Sequence, residues 1–272
     1  MNTGEAIILG VVQGLTEFLP VSSSAHLVFT QSLIPEFHQP GVLFDVTLHL
    51  GTLFAVIFFL RKNIADIMVS LTEIQWRRGC SGNTLKSGGV RTAFLIILAT
   101  FCTGAIGLPF KSRVEELFQS VETAACMLLI TGVLLYLAGK AKKGIKKEEN
   151  MTVADGIIIG IAQGVAIMPG ISRSGATIAF GIFRNVDPAA AARFSFLLSI
   201  PAIVGAVLLQ ARHISSVSPH DLPVYVAGFT AALIAGFASL KLLFKVIHNA
   251  GLQFFAYYCW FIGIAALIAK SV

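Results

Sequence analysis

The chain has 272 residues, of which 56% are apolar and 12% charged, with a mean hydropathy of +0.81. Ordinary soluble domains carry about 45–50% apolar and about 25% charged residues, so this composition excludes a soluble enzyme and points to a polytopic membrane protein. The formal net charge of +6 is no argument for nucleic acid as a partner, because the basic residues lie mainly in loops beside apolar spans, where a positive-inside bias puts them.

Four widely spaced cysteines, Cys80, Cys102, Cys126 and Cys259, sit mostly inside apolar segments. They read as packing residues and not as a disulfide framework or a zinc site. The N-terminus carries Glu5 and lacks a basic region followed by a cleavage site, so no signal peptide is expected.

Residues 3–19 are apolar but interrupted by Gly10, Gln13, Gly14 and Glu17, and they end at Pro20. A bilayer span needs about 20 apolar residues, so this segment and the short apolar piece 23–34 predict a re-entrant helix–break–helix hairpin. Residues 41–60 predict the first span, with Asp45 and His49 one turn apart. Residues 61–91 predict a polar loop, carrying Arg61, Lys62, Arg77, Arg78, Lys86 and Arg91 and loosened by Gly79, Gly82, Gly88 and Gly89. Spans are expected over 92–109 and 120–139, joined by a link holding Lys111, Arg113, Glu115 and Glu116. The run Lys140, Lys142, Lys143, Lys146, Lys147 then marks a basic linker over 140–151.

The second half repeats this plan. Gly10, Gln13 and Gly14 recur as Gly160, Gln163 and Gly164, Pro20 recurs as Pro169 one residue out of step, and a serine-rich run follows each proline. Residues 152–168 and 173–184 predict a second broken hairpin (152–184 overall), followed by spans over 188–210, 222–246 and 252–270. Residues 44–51 also align with 194–201, so the repeat extends into the following span. The expected fold is an all-α polytopic membrane protein. It has six transmembrane helices and two re-entrant hairpins, arranged as repeats over 1–139 and 152–272. With both basic loops in the cytoplasm, three spans per half invert one repeat relative to the other, and the hairpins meet near the midplane.

Ionisable groups at membrane depth are costly and mark function by default. Glu17 and Gln13 lie one turn apart on a helix face. A carboxylate and an amide oxygen suit a hard cation such as Mg²⁺ or Ca²⁺, with substrate phosphate completing the shell; for Gln13 a packing hydrogen bond between hairpins is the alternative, since Gln163 recurs without an acidic neighbour. Ser22, Ser23 and Ser24 suit helix capping, and His26 follows one turn later. A histidine beside a hydroxyl is also the arrangement of a general base and its nucleophile.

Arg173, between Ser172 and Ser174 just after Pro169–Gly170, can fork onto phosphate. With Ser172, Ser174, Thr177 and the free N–H groups of a helix start it forms an anion cradle. Arg184 and Arg193, at segment ends, read as snorkelling to the interface. Asp45 and His49 either support the hairpin or line the cavity. The Gly-x-x-x-Gly spacings at 10–14 and 160–164 predict close helix packing.

The two segments QGLTEFLPVSSSAH (13–26) and PGISRSGAT (169–177) resemble the signature motifs of the bacterial undecaprenyl-diphosphate phosphatase family, also called bacitracin-resistance proteins. The resemblance covers essentially the whole chain. It implies an integral enzyme of the bacterial cytoplasmic (inner) membrane that hydrolyses undecaprenyl diphosphate to the monophosphate and inorganic phosphate, recycling the cell-wall lipid carrier. It also implies a site opening to the outer side.

The family's acidic motif falls on Gln13 and Glu17 as metal ligands, its serine pair on Ser22 and Ser23, and its histidine on His26. Its phosphate motif falls on Ser172, Arg173, Ser174 and Thr177. Family members commonly carry Glu and Gln where this chain has Asp45 and His49. The implied partners are the lipid substrate and the bilayer, with a homodimer as a candidate assembly. Ser23, Ser22 and water remain alternatives as nucleophile. A prenyl-phosphate transporter built on the same inverted repeat is the competing function; it needs the arginine cradle but no nucleophile.

Overall fold

The protein is described here from a computed structural model, which covers residues 1–35, 42–76, 88–110, 117, 120–142, 144–210, 221–249 and 251–271. The expected charges at Arg77, Arg78, Lys86, Lys111, Arg113, Glu115, Glu116 and Lys143, the glycines at 79 and 82, and Cys80 lie outside the described residues.

Eleven α-helices make up the described chain: α1 (Thr3–Phe18), α2 (Ser23–Leu33), α3 (Val42–Phe59), α4 (Arg61–Trp76), α5 (Gly88–Gly107), α6 (Val121–Lys140), α7 (Val153–Val165), α8 (Arg173–Phe183), α9 (Pro188–Gln210), α10 (Leu222–Asn249) and α11 (Gln253–Ser271). Among the described residues five helices are long and apolar enough to cross a bilayer, and α3 with α4 forms a bent pair that raises the count to six. Phe101, Ile97, Ile234 and Phe261 are each more than half exposed on these helices. Such surface is stable only in lipid, so the chain is a multi-pass, all-α membrane protein.

The breaks fall where the local chemistry puts them. Asn2 and Thr152 cap α1 and α7 with full capping boxes, closed by Glu5 and Asp155. α1 ends before Pro20, and α7 ends before Pro169. Ser22 and Ser172 then cap α2 and α8, accepting from the N–H groups of Ala25 and Gly175. Gly170 has φ +95, and a Cβ there would lie 2.2 Å from the Ala124 carbonyl, so only glycine fits this turn.

The polar loop expected over 61–91 is in part helical. α4 turns 71° away from α3 at Leu60, sets Ile64 and Ile67 against the core, and leaves Arg61, Lys62 and Asp66 exposed. Its helical period is diluted by charge, which hid it. The next span also begins at Gly88, four residues earlier than expected. A Cβ at Gly89 would meet the Ser70 hydroxyl at 2.4 Å, so the glycine permits α5 to pass close to α4 rather than loosening a loop.

Each hairpin packs its first helix on a span from the other half: α1 runs along α10, and α7 along α5. Small residues set the spacing. A Cβ at Gly10 would lie 2.4 Å from the Gly228 carbonyl, and one at Gly14 2.6 Å from the Ala232 carbonyl. In the second copy a Cβ at Gly160 would lie 2.5 Å from the Ala99 carbonyl. Close approach of this kind supplies the dispersion contact that drives helix association in lipid. Ser239 donates to the Gly14 carbonyl at 2.8 Å, and Thr103 to that of Gly160 at 3.0 Å, tightening the two seams. Helix α6 packs on α11 and α3 on α9, closing the bundle around Phe18, Phe194, Phe196 and Leu128.

At the base of the second hairpin the linker is clasped by ion pairs. Asp155 accepts from Lys146 at 3.0 Å and from Arg184 at 2.8 Å, and Arg193 pairs with Glu148. Arg184 and Arg193 therefore do not snorkel; the fold supplies each with a carboxylate close to its own helix end. The glycine seams carry a direct expectation. Gly14→Val overpacks the α1–α10 contact and should lower the thermal midpoint in detergent, at a cost of about 1–3 kcal/mol. Gly205→Ala, whose Cβ meets nothing within 4 Å, should leave it unchanged. Equal midpoints for wild type and Gly14→Val would remove the seam from the account.

Candidate active site

The two hairpins meet at their breaks. Ser24 Oγ accepts from the Gly170 N–H at 3.3 Å, and Ser174 Oγ donates to the Leu19 carbonyl at 3.3 Å, so each tip is bonded to the other. Thr131 on α6 braces the second tip: its hydroxyl donates to the Gly170 carbonyl at 2.9 Å and accepts from the Ser172 N–H at 3.1 Å. On the first tip Ser22 holds φ +67, a conformation that costs a non-glycine residue roughly 1–3 kcal/mol and persists only where its surroundings over-determine it.

Glu17 lies at the centre of this contact, with its side chain 5% exposed. One carboxylate oxygen pairs with the Arg173 guanidinium, and His49 Nδ1 stands 3.7 Å from it. The other accepts from the Ser23 hydroxyl at 2.6 Å and from Gln13 Nε2 at 2.9 Å. Because Gln13 Nε2 must donate to the carboxylate, the orientation of the amide is settled, and it also donates to His49 Nδ1 at 2.9 Å. Glu17, Gln13, Ser23 and Arg173 are thus brought together, and His49 with them. Asp45, one turn earlier on α3, lies outside the bonds that Glu17 makes.

The remaining predicted residues divide. Ser22 and Ser172 spend their hydroxyls on capping and on the neighbouring Ser24 and Ser174. Thr177 is buried away from the tips, bonded to Ser195 on α9 at 2.6 Å and to the Arg173 carbonyl at 2.9 Å. His26 makes no hydrogen bond to Ser23. Its Nδ1 bonds the Ser22 carbonyl at 2.8 Å and its Nε2 the Tyr258 hydroxyl at 2.9 Å. The first-turn N–H groups of α2 and α8 that the Ser22 and Ser172 caps leave open are, with Arg173, donors suited to phosphate oxygens. Tyr258 and Thr131 carry no sequence signal: one lies in an aromatic run, 254–261, that looks like an interfacial belt, and the other is a lone threonine inside an apolar span.

The donor set is compatible with a hard divalent cation. Gln13 Oε1 is buried and has no hydrogen-bond partner, while Nε2 of the same amide donates to Glu17. Mg²⁺ in particular is commonly held through one or two carboxylates with water and substrate phosphate filling the rest of its shell. Gln13 Oε1 and Glu17 are the two groups that would hold it.

Breaking a buried ion pair by removing one partner strands the other charge, at a cost of about 3–5 kcal/mol. Arg173→Ala should therefore lower the thermal midpoint, and Glu17→Gln combined with Arg173→Met should regain much of the loss. A single Arg173→Ala variant melting with wild type would show that the pair does not bind the hairpins together.

Comparison with known proteins finds relatives over the whole chain. The sequence profile described as bacitracin resistance protein BacA matches residues 6–265. The chain is 41% identical to an undecaprenyl-diphosphatase of Methanobrevibacter smithii over 99% of this chain and 98% of that one. It is 41% identical to one from Desulforapulum autotrophicum over the full length of both, and 39% identical to one from Carboxydothermus hydrogenoformans over 100% of this chain and 98% of that one. With a profile match spanning both hairpins and relatives at this identity over their whole length, the chain belongs to the bacitracin resistance protein BacA family.

Proposed function

We propose that this chain is a membrane phosphatase that hydrolyses undecaprenyl diphosphate to undecaprenyl phosphate and inorganic phosphate. Its relatives carry the name undecaprenyl-diphosphatase. The observation that carries the reading is that one buried carboxylate, Glu17, holds a hydroxyl and a guanidinium at once. A nucleophile, a base and an anion clamp are thereby fixed at a single point between two helix starts.

In this reading the diphosphate enters between the tips and its oxygens take Arg173 from Glu17, while the prenyl chain stays in lipid. The freed carboxylate accepts the Ser23 proton as Ser23 Oγ attacks the terminal phosphorus. The bridging P–O bond breaks, undecaprenyl phosphate leaves, and water then hydrolyses the phosphoserine to release inorganic phosphate. His26 carries the proton to or from water and the leaving oxygen. Ser22, committed to capping at φ +67, is the poorer nucleophile. A divalent cation, Mg²⁺ or Ca²⁺, held by Glu17 and Gln13 would offset charge on the phosphoryl oxygens.

The proposed location is the bacterial cytoplasmic membrane, with the site opening to the outer face. Support comes from the basic linker 140–151 at the base of the second hairpin. The positive-inside rule puts that base in the cytoplasm; α7, 13 residues long, then carries the tip about 20 Å into the membrane. A carrier of prenyl phosphates would use the same two hairpins, but the 2.6 Å bond between Ser23 and Glu17 would have no task in it.

The test is phosphate release from undecaprenyl diphosphate by protein purified in detergent. Wild type should release phosphate; chelator should suppress release and added Mg²⁺ or Ca²⁺ restore it. Arg173→Ala and Ser23→Ala should each lose at least about 100-fold in kcat/KM. Well-folded wild type that releases no phosphate would favour the carrier, and lipid translocation in vesicles would be measured next.

A further inference from the structure

His26 is held by a residue from the far end of the chain. The Ser22 carbonyl can only accept, so the proton of a neutral His26 ring sits on Nδ1, which donates to it at 2.8 Å. Nε2 therefore presents its lone pair, and the Tyr258 hydroxyl donates to it at 2.9 Å. The tyrosine ring also lies against the imidazole, with centroids 5.6 Å apart and planes 6° from parallel. The next residue on α11, Cys259, reaches the Pro20 carbonyl with its sulfur at 3.8 Å, so this turn of α11 grips the first hairpin at two successive residues.

We propose that Tyr258 is a positioning residue for His26, fixing the ring orientation in which Nε2 is the working nitrogen. The inference rests on the role given to His26 above. Stacking alone would leave the ring free to slide in its plane, and the Ser22 carbonyl alone would leave it free to swing about one bond. Together with the Tyr258 hydroxyl they leave one orientation. A phenol both donates and accepts, so Tyr258 can follow His26 through both protonation states: it donates to Nε2 when the ring is neutral and accepts from Nε2–H once the ring is charged. An aliphatic residue or phenylalanine could stack but could not follow the proton.

The test is a double-mutant cycle on the intact protein in detergent, with undecaprenyl diphosphate as substrate. Tyr258→Phe keeps the ring and removes the hydroxyl. It should lower kcat roughly tenfold, in line with the loss of one hydrogen bond to a group that becomes charged, and leave KM within about twofold. His26→Ala should lower kcat about 100-fold or more. In the His26→Ala background Tyr258→Phe should cost nothing further, because a positioning residue has nothing left to position.

Nitrogen-15 spectra of the histidine rings, with His26 assigned from its variant, give a readout independent of turnover. The Ser22 carbonyl keeps the Nδ1–H tautomer in both proteins, and the Nε2 resonance is expected to move from its wild-type position in Tyr258→Phe, where it loses its hydrogen-bond donor, with the thermal midpoint unchanged. The proposal is overturned if Tyr258→Phe keeps wild-type kcat, if it costs the same factor with and without His26, or if it lowers the thermal midpoint while the Nε2 resonance stays at its wild-type position. If wild type turns over and His26→Ala turns over equally well, the role of His26 falls and takes the positioning with it. The hydrolysis itself still stands in that case.

Discussion

The structure depends on one buried charge pair. Glu17 is on the first helix of one hairpin and Arg173 on the second helix of the other, 156 residues apart. Neither charge can stand alone at membrane depth: an unpaired ion there costs several kcal/mol, and a buried carboxylate whose arginine is removed is among the more destabilising lesions known. The pair therefore requires the two broken hairpins to meet tip to tip. That in turn requires each hairpin to lie on a span belonging to the other half, which is how α1 on α10 and α7 on α5 are arranged. The glycine seams bring the helices close enough for the charges to meet, and the charges determine which tip faces which.

The repeat explains how the junction is built. Ser22 and Ser172 occupy the same place, capping the second helix of each hairpin. The residue immediately after each cap is the first of its helix: Ser23 in one copy, Arg173 in the other. Both reach the same carboxylate, one at each oxygen. One backbone device, used twice, presents a hydroxyl from one side and a guanidinium from the other. The acid that both address exists in the first copy alone, since Ala166 and Ile167 stand near the corresponding position of the second.

This determines what could be read from the chain before its coordinates. Both hairpins were legible because proline, glycine and serine at the breaks act locally, through a lost donor, an accessible φ and a cap. The apolar spans were legible because lipid imposes length and composition. Helix α4 was not, because a helix in contact with water and core together blurs its period with charge. At the site, Glu17, Gln13, Ser23 and Arg173 were legible as polar groups out of place in an apolar chain. Their pairing was not: proximity in sequence suggested Ser23 with His26, whereas the fold gives Ser23 to Glu17 and His26 to Tyr258. Thr177 illustrates the opposite limit. It follows Arg173 by four residues and so shares its helix face in outline, yet its hydroxyl turns back to the Arg173 carbonyl and to Ser195. A one-turn spacing places a residue near a site without saying which way its oxygen points.

The break in each hairpin has a further physical consequence. Backbone that leaves the helix at membrane depth exposes N–H and C=O groups that lipid cannot satisfy, so it survives only where protein or water covers it. Ser24, Ser174 and Thr131 cover part of it here, bonding to Gly170, Leu19 and Ser172. The first-turn N–H groups that they leave open must face a polar ligand or water. For the proposed hydrolysis both are reactants: phosphate occupies those groups in one half of the cycle, and water reaches them in the other. The constraint that makes a re-entrant hairpin costly in lipid is thus also what the proposed hydrolysis would use to hold an anion inside an otherwise apolar body. A pair of broken hairpins is in this way suited to cutting a phosphoanhydride on a lipid that never leaves the membrane.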